Sequence, residues 1–195
     1  MKAYYDARAR EYDDVWLGLG RFEHRHGTDW FDEVVRLLGT IASLPAARTL
    51  DVACGTGFLT RHLHGEVVGL DQSPNMLEEA QRKAPDARFV RGDALGLPFE
   101  DGSFSRLFTS FFYGHLEGDG RERFVSECRR VASELVFVDS SRERSDVDGE
   151  LQERVLNDGT RWTVYKRYFR PDELLGELGG GEVLHAGRWF VMVRA

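Results

Sequence analysis

The stretch Leu50-Asp51-Val52-Ala53-Cys54-Gly55-Thr56-Gly57 constrains the fold of this chain more than any other. Arg48 to Val52 reads as a short strand that runs directly into a loop with two glycines. A glycine loop leaving a first strand lets backbone approach a ligand where a Cβ would clash. Phe58 to His64 reads as a helix, and Glu66 to Leu70 as a second strand that stops at Asp71. Ser73 is placed to cap the next helix, with Pro74 at its first position, and that helix is predicted to run to about Ala84. Arg88–Arg91, Ser105–Ser110 and Glu134–Asp139 follow as strands, with a helix over Arg121–Val131. Strands alternating with helices imply a parallel sheet with right-handed crossovers.

Both ends of the chain depart from that alternation. Thr28 or Asp29 can cap a helix that carries Phe31, Val34, Val35, Leu38 and Ile41 on one face. Before it, Tyr4 to Tyr12 is polar and aromatic and reads as a helical arm. Downstream, Asn157-Asp158-Gly159-Thr160 signals a tight turn between extended flanks. Pro171 opens a short helix to about Leu178. Glu182–His185 and Arg188–Val193 are separated only by Ala186-Gly187, too short for a crossover, so the last strand is predicted to be antiparallel. The expected fold is α/β, a doubly wound, mostly parallel seven-stranded sheet of Rossmann-like form with an antiparallel last strand. At 195 residues the chain is expected to be one domain.

Composition excludes several classes. Hydrophobic residues are 42% and aromatic ones 12%, which suits a packed core rather than a disordered chain. No apolar run approaches the ~20 residues of a membrane span. Met1 to Arg10 is polar and has no hydrophobic signal core, so the expectation is a soluble, cytoplasmic protein without a membrane partner. Cys54 and Cys128 cannot build a disulfide framework or a four-ligand zinc site. His62 and His64 stand two apart and cannot share a helix face, so no metal is expected. Lys plus Arg total 26 against 33 Asp plus Glu, a net charge of −7 that argues against a general nucleic-acid binder.

The chemistry lies at the strand ends. Asp51 sits at the tip of the first strand, Asp71 at the tip of the second, and Asp93 follows the third. In a doubly wound sheet these carboxyl ends share one edge, where ligands bind. Three carboxylates along that edge suit a ligand with a cation and a diol rather than a pyrophosphate. Asp71 would accept both ribose hydroxyls, and Asp93 could accept from an adenine amino group. Gly55-Thr56-Gly57-Phe58-Leu59-Thr60 lacks the third glycine of a dinucleotide fingerprint, and no Tyr-x-x-x-Lys pair is present.

These segments resemble the class I S-adenosylmethionine-dependent methyltransferases. The resemblance rests on Leu50–Gly57, on Val68-Gly69-Leu70-Asp71-Gln72-Ser73-Pro74-Asn75-Met76-Leu77, and on Gly92-Asp93-Ala94-Leu95-Gly96-Leu97-Pro98-Phe99. The opening Tyr4-Tyr5-Asp6-x-x-Ala9-x-x-Tyr12-Asp13 and Thr109 to Leu116 are also similar, most of all to the type-11 branch that includes quinone-biosynthesis enzymes. The resemblance implies a methyl transfer from S-adenosylmethionine to a small molecule, with S-adenosylhomocysteine as product. It places Asp51 near the methionine ammonium, with the backbone of Ala53, Gly55 and Gly57 around that moiety. It places Asp71, Gln72 and Met76 at the ribose and adenine, Asp93 and Ala94 at the adenine, and Ser110 and Phe111 on the methionine side. Tyr5 and Tyr12 would belong to a lid. It divides the chain into a helical lid over 1–45 and a cofactor-binding core over 46–195, with a substrate-side insertion over 142–170. The family's usual Gly-Gly turn before strand five is missing at Arg129–Glu134.

A base is needed only if the nucleophile is protonated. His115 is the first candidate for that catalytic role, because it follows strand four on the ligand edge and imidazole titrates near neutrality. Tyr113 and Asp139 come next. Arg21, His24, Arg25 and His26 form a small basic cluster, either solvated or near an acidic substrate. Arg161 to Arg170 interleaves basic and aromatic residues, which fits an alternating strand, a nucleic-acid platform or a pocket cover. A protein that binds the cofactor without catalysis, as a partner or sensor, is the competing function. The expected partner is a small-molecule methyl acceptor, with no nucleic acid. The sequence does not choose between a monomer and a homodimer.

Overall fold

A computed structural model describes residues 2–195. Its strands are β1 (Ala47–Val52), β2 (Gly65–Asp71), β3 (Arg88–Arg91), β4 (Phe104–Ser110), β5 (Ala132–Ser140), β6 (Gly149–Val155), β7 (Arg161–Arg167), β8 (Glu182–Ala186) and β9 (Phe190–Arg194). Its helices are α1 (Lys2–Arg8), α2 (Asp14–Leu17), α3 (Trp30–Ala42), α4 (Pro74–Lys83), α5 (Asp119–Val131) and α6 (Pro171–Glu177). Seven strands form one sheet in the order β3-β2-β1-β4-β5-β9-β8, and β6 and β7 form a separate hairpin. The first five are mutually parallel, and β9 inserts antiparallel between β5 and β8. The doubly wound sheet with an antiparallel closing strand is thus as the pattern of short apolar runs predicts.

The central strands are buried on both faces, which is why they read as continuous apolar runs. Successive residues of β4 and β5 serve opposite layers. Leu107, Leu135 and Phe137 pack with Phe124 and Cys128 of α5 and Leu174 of α6. Phe108, Val136 and Val138 pack with Trp30, Val34, Leu37 and Ile41 of α3. The helix α3 is therefore part of the core, and Trp16 of α2 packs into the same cluster, so the stretch expected as a 1–45 lid is in part core. Without a Gly-Gly turn, α5 ends at Val131 and β5 begins at Ala132.

The predicted helix over Phe58–His64 is absent. Only a single 3₁₀ turn forms, at Thr60–His62, and Leu63 is already extended. The reason is distance. The chain must return along β1, and by residue 64 the His64 carbonyl accepts from Ala47 N–H at 3.0 Å. Six strand residues span ~20 Å, whereas eight residues of α-helix rise only ~12 Å. The loop must stay extended to close the gap.

The Asn157–Thr160 turn joins β6 and β7 as predicted, and the interleaved basic and aromatic stretch is strand β7. Tyr4 of α1 packs against Leu156 and Val164 of this hairpin. The N-terminal arm and the hairpin thereby meet above the carboxyl ends of β1, β4 and β5. Among the described residues no helix is long and apolar enough to cross a membrane.

Candidate functional site

The parallel register brings Asp71 and Arg91 side by side, so Asp93 follows two residues beyond the end of β3. Asp71 is buried, and its carboxylate accepts from Gly55 N–H at 3.1 Å and from Ser73 N–H at 2.9 Å. Burial raises its pKa, opposed by those backbone donors. Each carboxylate oxygen retains a further acceptor site, so two hydroxyls can still be received. Asp93 is exposed, and one oxygen accepts from Leu95 N–H at 3.0 Å.

A groove of about 60 Å³ runs between these tips. Its walls include Tyr5, Tyr12, Ala53, Gly55, Asp71, Gln72, Met76, Asp93, Ala94, Ser110 and Phe111, all expected there. Leu70, Gly92 and Phe112 also line it and were not expected. Gly92 had a signal beside the predicted Asp93: a Cβ there would stand 2.7 Å from Leu70 Cδ1. Among the described residues, Ala53 (φ 58°) and Phe111 (φ 54°) are the two non-glycine residues with left-handed backbone, and both face this groove. Such strain costs on the order of 1–3 kcal/mol per residue and concentrates at ligand sites.

Two expected contacts lie elsewhere. Gly57 (φ 73°) turns its α-carbon toward α4, where a Cβ would stand 3.0 Å from Ala80 Cα. This close helix–loop packing leaves no room for a Cβ at position 57. Asp51 sits buried behind the loop and accepts from Thr60 Oγ1 at 2.6 Å through Oδ2. Its Oδ1 is buried with no hydrogen-bond partner. Burial first, and Asp71 as a lesser contribution, push its pKa up to about 7 against the pull of Thr60. An orphaned buried carboxylate oxygen fits an incoming cation, and the Asp71 and Asp93 acceptors fit a diol and an amino donor. The residues present therefore fit S-adenosylmethionine.

The arm is fastened to the glycine loop and α4. Ser73 caps α4, its Oγ accepting from Met76 N–H at 3.1 Å and donating to Asp6 at 2.6 Å. Thr56 Oγ1 donates to Asp13 at 2.6 Å, and Lys83 Nζ meets the other Asp13 oxygen at 2.5 Å. Trp16 of α2 stacks on Phe58 with ring centroids 5.0 Å apart. These contacts aim Tyr5 and Tyr12 into the groove. Burial raises the pKa of Tyr5, and pushes that of Tyr12 up to about 12, so both hydroxyls keep their protons.

His115 follows β4, as predicted, and lines a larger adjoining cavity rather than the groove. Its Nδ1 lies 2.5 Å from the Tyr165 carbonyl and must donate to it. Its Nε2 is then an acceptor, engaged by the Tyr5 hydroxyl at 2.8 Å. Burial, with Lys166 nearby, holds the imidazole pKa well below its ordinary value. The proton-accepting nitrogen of His115 is thus taken up by Tyr5, which distinguishes it from the free general base that the sequence suggested. Tyr113 donates to Glu177 at 2.6 Å, and Asp139 is buried against Lys166 at 2.5 Å and Gly114 N–H at 2.8 Å. Neither is free for proton transfer. Among the described residues no three His, Cys, Asp or Glu side chains are grouped to hold a metal ion.

A second cavity, of about 470 Å³, adjoins the groove and shares Tyr5, Tyr12 and Phe111 with it. The arm, the β6–β7 hairpin and the ends of β5 and β9 enclose it. That volume suits a small organic molecule.

Residues 49–134 match a sequence family described as "Methyltransferase domain". The chain is 40% identical over 109 residues to the demethylmenaquinone methyltransferase of Thermotoga maritima, covering 53% of this chain and 45% of that one. It is 39% identical over 130 residues to the dTDP-3-amino-3,6-dideoxy-alpha-D-glucopyranose N,N-dimethyltransferase of Streptomyces fradiae, covering 60% and 48%. The chain spans about half the length of these curated relatives. Among solved structures, the DhpI-SAM-HEP complex superposes with a TM-score of 0.74 at 27% identity, over 98% of this chain and 94% of that one. In fold, motif order and sequence the chain is similar to S-adenosylmethionine-dependent methyltransferases.

Proposed function

We propose that this protein transfers a methyl group from S-adenosylmethionine to a small molecule, releasing S-adenosylhomocysteine. The observation that supports it best is the junction of two cavities at Tyr5, Tyr12 and Phe111. One carries the strand-tip carboxylates and the strained loop. The other has room for an acceptor. Bound S-adenosylmethionine supplies an electrophilic methyl group. The chain's own contribution is positioning, for which ~7–11 kcal/mol is available in well-oriented cases.

In this reading Asp71 receives the ribose hydroxyls, Asp93 and Ala94 hold the adenine, and the ionised Asp51 attracts the ammonium from behind the loop. Gln72 and Met76 flank the ribose and adenine, Ser110 and Phe111 the methionine side. The groove is narrowed by Tyr5 and Tyr12, so a nucleoside enters only as the arm lifts from the glycine loop. Residues 2–27 act as the lid and 142–170 as the acceptor-side insertion. His115 is a positioning residue: it fixes the Tyr5 hydroxyl at the seam between the cavities. The acceptor is a small molecule rather than nucleic acid, the setting is the cytoplasm, and the active form is a monomer or homodimer.

Calorimetric titration of the purified chain with S-adenosylmethionine, S-adenosylhomocysteine and NAD tests the reading. Both S-adenosyl compounds should bind and NAD should not. Asp71→Ala should weaken their binding by about 10–100-fold, the worth of a charged hydrogen-bond partner. Binding of NAD alone would remove the assignment. Cofactor binding with no turnover of any acceptor would mark a sensor instead.

A further inference from the structure

The larger cavity carries a charge opposite to that of the whole chain, which is −7. Five arginines wall it: Arg8, Arg21, Arg25, Arg144 and Arg154. Elsewhere in the molecule buried or half-buried arginines have acids at hand, as Arg106 has Glu134 at 2.5 Å and Arg130 has Glu127 at 2.9 Å. None of the five cavity arginines has a carboxylate within 4.0 Å among the described residues. Lys166 of the same wall is already neutralised by Asp139. The acids in the wall are Glu11, Asp14 and Glu153, and Glu153 holds Arg161 at 2.5 Å.

Arg25 is the telling member. It is 9% exposed, its Nη1 donates to the Val15 carbonyl at 3.0 Å, and its Nε is buried without a partner. Its guanidinium lies 3.4 Å from the centre of the Trp30 ring. Burial, then Arg144, Arg8 and Arg154 in turn, push its pKa down to about 9. A buried cation among like charges is costly unless a counter-charge is bound. Arg144 is held in the same way, 3.4 Å over the Trp189 ring. Fixed, planar guanidinium forks are suited to bidentate capture of an oxyanion.

We propose that this cavity takes an anionic methyl acceptor, a small molecule bearing a carboxylate or a phosphoryl group, held by Arg25 with Arg8, Arg144 and Arg154. The apolar body of the acceptor rests against Phe111 and Phe190. That the anion is an acceptor rests on the methyltransferase reading of the adjoining groove. That an anion binds rests on the cavity alone. The neutral, engaged His115 is consistent with a nucleophile that needs no deprotonation.

The test is calorimetric titration of the full chain, with and without S-adenosylhomocysteine, using benzoate, phenylphosphonate and neutral benzamide as probes. At least one anion should bind tenfold or more tightly than benzamide, and which anion does so separates the carboxylate from the phosphoryl class. Arg25→Gln and Arg154→Gln should each weaken that anion at least tenfold while leaving S-adenosylhomocysteine affinity within twofold. Arg154 lies on the surface hairpin, so its variant stands even if Arg25→Gln fails to fold. Benzamide binding as tightly as both anions, or anion affinity unchanged by Arg154→Gln, overturns the inference. Anion selectivity without any binding of S-adenosylhomocysteine would keep the anion site and remove the methyltransferase reading.

Discussion

Thr56 in the glycine loop donates a 2.6 Å hydrogen bond to Asp13 in the N-terminal arm, 43 residues away. The loop that cradles the ligand and the arm that covers it are thus one connected unit. Asp13→Ala should loosen the arm without disturbing the sheet. The variant loses both the Thr56 hydrogen bond and the Lys83 ion pair, about 2 kcal/mol together, roughly 30-fold in affinity. Calorimetry should show S-adenosylhomocysteine binding weakened by about that factor, with dissociation accelerated and little change in melting temperature. Unchanged dissociation would mean that the arm does not gate the groove.

Asp51 predicts how cofactor binding depends on pH. Its folded-state pKa is raised to about 7 by burial, above the unfolded value of ~3.9. The free protein therefore binds an extra proton between those values, and this group's contribution to stability falls as pH rises through that window. An ammonium beside Asp51 favours its ionised form and releases that proton. Affinity for S-adenosylhomocysteine should rise from pH 6 to 7.5, a range in which the ligand's own ammonium stays charged. Asp51→Asn should bind more weakly at pH 7.5 and lose the slope; a slope retained in the variant would assign it to another group.

His115 has the opposite sign. Its folded-state pKa is depressed, so its stabilising contribution is complete above the unfolded value of ~6.5 and is lost as pH falls below it. His115→Gln removes that titration. The gap in melting temperature between wild type and variant should narrow from pH 7 to pH 5 in thermal scans. A gap that widens toward pH 5 would show a charged, partnered imidazole instead.

Lys166 reaches from β7 to Asp139 of β5, both fully enclosed, at 2.5 Å. Lys166→Met leaves that carboxylate uncompensated, apart from the Gly114 and Ser140 N–H donors. Breaking a buried pair costs about 3 kcal/mol or more, which at ~2–4 °C per kcal/mol lowers the melting temperature by roughly 6–12 °C. The double variant with Asp139→Asn should recover much of the loss. Equal loss in single and double variants would show that packing, not charge, is what Lys166 contributes.

Most of the groove was legible because its residues stand at strand ends, and a parallel sheet puts such ends on one edge. Asp71 and Asp93 needed only the strand assignments to be placed, whereas Phe111 came with the family resemblance. The failures have geometric causes. The stretch after Gly57 looks helical by pattern, yet β1 is too long for a helix to retrace in eight residues. The close approach of Gly57 to Ala80 is a contact no spacing rule supplies. The arginine wall is spread over positions 8, 25, 144 and 154, and only the crossing of arm and hairpin brings these together. Arg21 and Arg25 were visible as a cluster, with a solvated patch and an acidic substrate as its two readings.

The two cavities are drawn from different stretches of chain. Apart from Tyr5 and Tyr12, the groove side chains fall between positions 53 and 112. The larger cavity draws almost wholly on positions 4–30 and 140–190, with Phe111 and His115 the exceptions. On the proposed reading, what donates and what receives are therefore separately encoded. A substitution along the β6–β7 hairpin can alter the choice of recipient and leave the nucleoside pocket as it was. One sheet edge can in this way serve a range of recipients while the part that carries the reactive group stays unchanged.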